Sequence, residues 1–141
     1  MSGDDNLPKV TVLDTDEKVV LEEENVEAHN LPGFALVIGK GPTGCLTVTN
    51  KKIIFEIETH MGFFGPKRWM THLLLELENV FSVNAAEDRF VINNLIEFEV
   101  KDPSLWEKET SSAITVRRRQ MKEESKRVLV VLDFSSLKEY M

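Results

Sequence analysis

Apolar and polar residues alternate with a period of two through the middle of the chain, in the stretch GCLTVTNKKIIFEIE. The apolar positions of this stretch form two runs, first Leu46 and Val48 and then Ile53, Phe55 and Ile57. A period of two is typical of half-buried strands. The residues between the runs, TNKK at 49–52, include an asparagine, which adopts the left-handed conformation of a turn at little cost. The pattern therefore predicts a β-hairpin.

Shorter alternating or apolar runs predict further strands before this hairpin. A first strand is expected near 18–22, although the glutamates that follow leave a helical turn as an alternative. Residues 10–13 could add a short edge strand, and the run FALVI at 34–38 has the length of a buried strand. The glycines and prolines of 39–44 indicate a connecting loop.

The region after the hairpin combines a glycine-containing loop with more strands. Gly62, Gly65 and Pro66 predict a loop tip within 59–71. Alternation then predicts a single strand over 73–83. The turns and strands expected beyond it are a turn at 87–89, a strand at 90–92, a tight turn or bulge at 93–94 and a strand at 95–100.

The C-terminal third changes to a helical pattern. Asp102 can act as an N-cap with Pro103 at the first helical position, which predicts a helix extending to about residue 126. A short helix followed by a β-branched strand at 114–118 is the alternative. Residues 128–134, VLVVLDF, predict a buried strand or a packed apolar segment, and SLKE at 136–139 matches a capping box that starts another helix.

The length of the chain and the uneven distribution of its charged residues indicate how it is divided into segments. Its 141 residues favour one domain at 17–127, with an acidic lead-in at 1–16 and a trailing segment at 128–141 that would lead to a second domain. Residues 1–30 carry nine acidic and two basic residues, whereas residues 31–141 carry fifteen of each. A neutral body argues against a dedicated nucleic-acid binder, which carries a broad basic excess.

Other features of the composition exclude several classes of protein. No apolar run approaches the roughly 20 residues of a membrane span, and the N-terminus lacks the pattern of a signal peptide. Cys45 is the only cysteine, so the chain can form neither an internal disulfide nor a cysteine zinc cluster. Cys45 is expected to act as a small core residue. A cytoplasmic location is the expectation from these features.

Three motifs in this order, LTVTNKKIIF, LELENVFSV and VKDPSLW, resemble the pleckstrin-homology-like superfamily, and its GRAM-type branch in particular. The resemblance covers residues 17–125. The tail VLDFSSLKEYM is similar to the linker of archaeal proteins that join such a domain to a zinc ribbon, which this chain lacks. The resemblance implies a bent antiparallel β-sandwich or barrel of about seven strands, capped by a C-terminal helix that Trp106 would pin in place. It also implies a binding or adaptor module rather than an enzyme, in a superfamily whose members bind phosphoinositides or peptides.

The sharpest candidate for a binding surface is the loop at 61–70. Aromatic and basic side chains adjoin there, namely Met61, Phe63, Phe64, Lys67, Arg68 and Trp69. Such a set suits a protein interface, where Trp, Phe, Met and Arg are enriched, or the headgroup region of an anionic membrane. The alternative is that the aromatic residues pack inward as part of the core.

Two basic groups offer weaker candidates for anion contacts. Lys51 and Lys52 lie on the hairpin turn, where pleckstrin-like domains that bind phosphoinositides often carry basic residues, but solvated lysines are the simpler interpretation. Glutamates occupy the positions where the strict phosphoinositide pattern has an arginine. The stretch Arg117–Arg119 with Lys122 is interpreted as a solvated helical face that pairs with Glu123, with nucleic-acid or membrane contact as the alternative.

The sequence contains no recognisable catalytic motif. The three histidines, His29, His60 and His72, have no metal-ligand spacing and no acidic residue placed with them in a motif. No nucleophile elbow or glycine-rich cofactor fingerprint is present, so neither a metal nor a cofactor is expected. The leading hypothesis is therefore a non-catalytic adaptor that binds a protein partner or a second copy of itself. Peripheral binding to an anionic membrane through 61–70 is the alternative.

Overall fold

The fold is seen in a computed structural model that describes residues 8–31, 41–60 and 65–140, with residue 60 and residues 126–140 described by their backbone alone. Seven antiparallel strands form one sheet, in the spatial order β4-β3-β2-β1-β7-β6-β5. The strands are β1 (Val19–His29), β2 (Thr43–Thr49), β3 (Lys52–His60), β4 (Lys67–Glu76), β5 (Val83–Ala86), β6 (Arg89–Ile92) and β7 (Ile96–Glu99). A single helix, α1 (Pro103–Tyr140), follows them. The protein is therefore mainly β with one C-terminal helix, as the sequence predicts.

The central hairpin is confirmed. β2 and β3 pair from Gly44 opposite Ile57 to Val48 opposite Ile53, which leaves 50–51 as the turn. The hydroxyl of Thr49 accepts hydrogen bonds from the turn amides of residues 51 and 52, at 3.1 and 3.0 Å. The alternation places one set of apolar side chains in the core, as expected for a strand pair with period two.

The first strand is longer than predicted. It extends over Val19–His29 rather than 18–22, and the alternative of a helical turn is wrong. Asn25 adopts the left-handed conformation, with φ of 59°, where the register with β2 shifts between Glu23 and Val26. This irregularity lets the strand continue past the glutamates, so that Val26 and Ala28 reach the core.

The single strand predicted at 73–83 is wrong. β4 ends at Glu76, a short 3-10 helix covers Leu77–Asn79, and β5 begins only at Val83. Leu77 and Val80 are both buried in the core although they are three residues apart. A strand would point positions three apart to opposite faces, whereas a helical turn brings them to the same side.

The two predicted turns that follow are confirmed. Residues 87–88 form the turn between β5 and β6, and 93–95 form the turn between β6 and β7. Asn93 and Asn94 both have φ of 56°, the left-handed conformation that asparagine tolerates best among residues other than glycine. The short strands β6 and β7 are thereby brought into register, with Ile92 opposite Ile96.

The C-terminal helix begins as predicted and continues further. The side chain of Asp102 caps it by accepting a hydrogen bond from the amide of Leu105 at 3.2 Å. The helical backbone extends through Tyr140, so the alternative strand at 114–118, the strand at 128–134 and a separate helix start at Ser136 are all wrong. Neither glycine nor proline occurs between residue 104 and the end, so no helix breaker interrupts it. Within the described residues, no helix has both the length and the apolar character needed to cross a bilayer.

Two predicted strands have different outcomes. Residues 10–13 form no regular strand, so the expected edge strand is wrong. The amide of Val10 donates a hydrogen bond to the side chain of Glu56 instead of to a neighbouring strand. The expected strand at 34–38 lies outside the described residues. The division into segments 1–16, 17–127 and 128–141 stays a prediction.

The core joins the two ends of the sheet and the helix. The rings of Phe55 on β3 and Phe98 on β7 lie 5.1 Å apart, and those of Phe90 on β6 and Trp106 on α1 lie 5.7 Å apart. Trp106 also donates a hydrogen bond from Nε1 to Glu23 at 3.3 Å. These contacts support the prediction that Trp106 holds the helix against the sheet.

Candidate functional site

An N-terminal strap, residues 8–18, lies against the outer face of β3 and its neighbours and is anchored by one buried carboxylate. The side chain of Glu56 is fully buried and accepts hydrogen bonds from the amides of Lys9, Val10 and Thr11, each at 2.8 Å. The Thr11 hydroxyl also donates to it at 2.9 Å, and lies 2.6 Å from the hydroxyl of Thr71 on β4. Four donors compensate the cost of burying the charge.

Cys45 lies beside this anchor. It is the cross-strand partner of Glu56 and is fully buried, as predicted for a small core residue. Burial raises the pKa of the Cys45 thiol to about 11, and the nearby carboxylate of Glu22 adds to this effect. The thiol is therefore neutral near pH 7 and a poor nucleophile or metal ligand. Burial likewise raises the pKa of Glu22.

The two lysines of the hairpin turn are paired with acids of the strap. The Nζ atom of Lys51 lies 2.7 Å from Asp16 and 3.1 Å from Asp14. The Nζ atom of Lys52 lies 3.3 Å from the buried carboxylate of Glu17. The hydrogen bond to Asp16 raises the pKa of Lys51, and the same bond lowers the pKa of Asp16. The interpretation of both lysines as solvated is therefore wrong, and any anion would compete with these carboxylates.

Backbone contacts reinforce the same junction between strap and turn. The amide of Lys18 donates to the side chain of Asn50 at 2.8 Å, and the amide of Asn50 donates to the Lys18 carbonyl at 3.0 Å. The hydroxyl of Thr49 donates to Glu17. The acidic lead-in is thus an integral part of the fold over its described residues, and its charge has a structural use.

The candidate surface at 61–70 is described only in part. Met61, Phe63 and Phe64 lie outside the described residues, whereas Lys67, Arg68 and Trp69 belong to the start of β4 rather than to a loop. Lys67 and Trp69 lie on the opposite face of the strand from Arg68, because successive side chains alternate.

The described side chains of this surface have neighbours of their own. The Nζ atom of Lys67 lies 3.8 Å from Glu58, and both side chains are largely exposed. Trp69 is half-buried, and the Nζ atom of Lys9 lies 5.5 Å from its ring centroid. Lys9 in turn donates to Glu24, a hydrogen bond that raises the pKa of Lys9. The strap therefore contacts the tryptophan that the sequence assigned to the binding surface.

Two arginines of α1 contact the segment before β5 rather than residues of their own helix. The Nε atom of Arg117 lies 3.7 Å from Glu78, and Arg118 donates a hydrogen bond to the carbonyl of Val80. The prediction of a solvated face is wrong for Arg117, which is half-buried, whereas Arg118 is exposed. The pairs predicted with Glu123 involve other residues and stay predictions. The charge of Arg117 and Arg118 is used in attaching the helix to the sheet.

The structure reveals a surface at this attachment that the sequence did not predict. Phe81 is 83% exposed, immediately beside an open depression of about 230 Å³ between the segment before β5 and α1. The depression is lined by Val80, Phe81, Ser82, Val83, Ser111, Ile114, Thr115 and Arg118. The sequence predicted a continuous strand here, and that interpretation did not identify Phe81 as exposed. One signal against a continuous strand was present in VFSV at 80–83, where two adjoining apolar residues break the strict alternation.

Strand pairing also brings together residues that the sequence left apart. The Nε2 atom of His29 lies 3.0 Å from Glu27 and 2.9 Å from Glu99 on β7. The sequence showed no recognisable motif that places an acid with a histidine, yet strand pairing brings Glu99 to His29. The pairing of β1 with β7 was the missing information, because Glu99 is 70 residues further along the chain.

Comparison with known proteins adds no assignment. No protein-family model matches the chain, and no curated protein matches it.

Proposed function

We propose that this protein is a non-catalytic binding or adaptor module that docks a protein partner through the depression beside Phe81. The observation that carries the proposal is the exposure of this phenylalanine, at 83% of its surface. A large apolar side chain placed in water next to a depression is typical of interaction sites, since aromatic residues contribute much of the binding free energy of protein interfaces.

The backbone that presents Phe81 is held in place. The amides of Phe81 and Ser82 both donate to the side-chain oxygen of Asn93, at 2.6 and 3.2 Å. The amide of Asn93 donates back to the carbonyl of Ser82 at 2.8 Å. A side chain on a fixed backbone loses less conformational entropy on binding, so these bonds favour a preorganised contact.

The surroundings of Phe81 combine an apolar centre with a polar rim, as protein interfaces do. Val80 and Ile114 supply buried apolar surface below the depression, and Ser111 and Thr115 are exposed polar residues at its edge. Leu95, which is 54% exposed, lies two residues beyond Asn93. We infer a partner that places an apolar side chain against Phe81 and hydrogen-bonding groups against the rim.

The resemblance to pleckstrin-homology-like domains is part of this proposal. Seven antiparallel strands followed by a C-terminal helix support it, because that is the arrangement which the resemblance implies. In this proposal the sheet and helix act as a scaffold, and the contacts that they present determine what is bound. A second copy of the chain remains one of the partners to be tested.

Peripheral binding to an anionic membrane is our second proposal. The exposed cations Lys67 and Arg68 at the start of β4 favour it. It ranks second because Lys51 and Lys52 are already paired with acids of the strap. Co-sedimentation with neutral and anionic vesicles, at low and moderate salt, tests it. Salt-sensitive binding to anionic vesicles that is lost in a Lys67→Ala/Arg68→Ala double variant would favour the membrane.

Site-directed photo-cross-linking tests the protein partner. A photoreactive residue placed at Thr115 should capture one partner from the cell of origin, and the added substitution Phe81→Ser should abolish that product. Val12 is 86% exposed on the strap, so Val12→Ser is a matched control for loss of an exposed apolar residue and should leave the product unchanged. Sedimentation velocity over a range of concentrations shows whether the partner is a second copy. A product that survives Phe81→Ser would contradict the proposal.

A further inference from the structure

Three potential metal ligands meet where β1 pairs with β7. Glu27 lies directly opposite Glu99 in the strand register, and His29 lies two residues beyond Glu27 on the same face of β1. The Nε2 atom of His29 lies 2.9 Å from Glu99 Oε1 and 3.0 Å from Glu27 Oε2. All three ligand atoms lie within 4.8 Å of one another, and all three side chains are half-buried.

The arrangement of these three side chains differs from that of a simple hydrogen-bonded pair, because two carboxylates contact one nitrogen. Nε2 of an imidazole carries at most one hydrogen, which can point at only one of the two carboxylates. The other carboxylate oxygen then lies close to Nε2 without a hydrogen between the two atoms. Both carboxylate oxygens also lie close to each other, within 4.8 Å. A cation between the three atoms would satisfy both oxygens and the nitrogen lone pair together.

The separations between the ligand atoms fit a bound transition-metal ion. With metal–ligand bonds of about 2.1 Å, neighbouring ligand atoms lie about 3.0 to 3.4 Å apart, depending on coordination geometry. The two distances from Nε2 are close to the lower value. One imidazole with two carboxylates is a set that accepts Zn²⁺, and it would leave coordination positions for water.

We propose that Glu27, His29 and Glu99 form a binding site for a divalent transition-metal ion, for which Zn²⁺ is the probe. This site is separate from the depression beside Phe81 that carries the proposed function. The ion would connect β1 with β7, which share a register of only three residue pairs. Its role is therefore to hold together the two halves of the sheet, which meet where β1 pairs with β7.

A neighbouring arginine pairs mainly with Glu97 and not with the ligand Glu99. Arg89 on β6 donates to Glu97 at 2.6 Å, and its second terminal nitrogen lies 3.7 Å from Glu99. The hydrogen bond to Glu97 is the main reason that the pKa of Arg89 is raised. Because Glu97 takes the closer contact, the oxygen of Glu99 remains directed at His29.

The site is accessible from an acidic depression. Glu27 and Glu99 form part of the wall of an open depression of about 400 Å³. Other charged residues of this wall are Glu23, Glu24, Asp88 and Lys101. The excess of carboxylates favours the approach of a cation, since charges of one sign in a cleft raise the local concentration of the opposite ion.

Isothermal titration calorimetry of the untagged chain with Zn²⁺ tests the proposal. We expect one ion per chain and a rise in melting temperature, because a ligand that binds only the folded chain stabilises it. His29→Ala and Glu99→Gln should each weaken binding by more than about 100-fold, since loss of a residue that merely orients a ligand already costs about 10- to 100-fold.

Matched controls separate this site from other carboxylates and histidines. Glu58→Gln removes an acid from β3, and His72→Gln removes a histidine from β4; neither residue belongs to the proposed site, so both variants should keep the dissociation constant of the wild type. Glu99→Gln preserves the size of the side chain, so it remains informative if His29→Ala fails to fold. Absence of Zn²⁺ binding, or binding that persists in Glu99→Gln, would overturn the proposal.

Discussion

The two ends of the sheet are covered in contrasting ways. The strap over β3 is attached by polar contacts, through the buried carboxylate of Glu56 and the ion pairs of the hairpin turn. The helix beside β5 is attached mainly by apolar contacts, through Trp106 and Ile114. Polar contacts add to these, among them that of the Glu107 side chain, which accepts a hydrogen bond from the edge amide of Ala85.

The contrast shows how the free energy of attachment is distributed. Apolar packing spreads over many atoms and depends weakly on pH, whereas a carboxylate with four donors concentrates the attachment in one side chain. We expect one substitution at Glu56 to release residues 9–11 of the strap without unfolding the sheet, while the contacts with the hairpin turn still hold residues 14–18. The helix cannot be released by one substitution in this way, because its buried face is part of the core.

The largest effect is expected for Trp106→Ala. This side chain is 2% exposed and packs against Phe90, so its loss leaves a cavity and should lower the free energy of unfolding by about 3 to 5 kcal/mol. Denaturant unfolding followed by circular dichroism measures this change. Leu105→Ala, at a residue 41% exposed, is the control and should cost about 0.5 kcal/mol or less. Equal losses in both variants would contradict the role of Trp106.

An intermediate and local effect is expected for Glu56→Gln. The amide group would oppose some of the four donors, which should cost about 1.5 to 3 kcal/mol. Hydrogen exchange should accelerate at the amides of Val10 and Thr11 and stay unchanged at Phe98.

A control and a second measurement sharpen this result. Glu58→Gln alters the next glutamate on the same face of β3, which is largely exposed, and should leave exchange unchanged. The thiol of Cys45, opposite Glu56, should react faster with a thiol reagent once the strap is released. Uniform acceleration of exchange across the sheet would mean that Glu56 supports the whole fold, which would contradict its local role in attaching the strap.

The smallest effect is expected for Lys51→Ala. Its contacts with Asp14 and Asp16 are at the surface, so the melting temperature should fall by about 2 °C or less at low salt. The pKa of Asp16 is lowered, so the difference from wild type should disappear as the pH falls through that pKa. The pKa of Lys51 is raised, so it should also disappear as the pH rises through that higher pKa. Melting curves across pH measure both limits. Lys108→Ala on α1 is the control, and a difference that is constant with pH would contradict the pairing.

The sequence predicts those parts of the fold that depend on neighbouring residues. The hairpin at 44–58, the asparagine turn at 93–94 and the helix start at Asp102 are local patterns, and the structure confirms them. The strand predicted across 73–83 failed because Leu77 turns into the core, a choice that depends on the position of α1. The alternation of apolar and polar residues along the chain carries no information about such a tertiary contact.

The candidate site was harder to predict because its chemistry is non-local. Alternation showed that Glu56 lies on the face of β3 opposite the core, but not that the strap covers that face. Lys51 resembled a solvated turn residue because its partners precede it by more than 30 residues. The exposure of Phe81 and the meeting of His29 with Glu99 likewise follow from tertiary contacts.

The short pairing of β1 with β7 has a consequence for how the chain folds. Among the described strands, β1 to β4 and β5 to β7 form two groups whose members pair with neighbours along the chain, whereas β1 and β7 join residues about 70 positions apart. Closing so long a loop costs chain entropy before its contacts are formed. We expect the two groups of strands to form early and their union to limit the rate of folding.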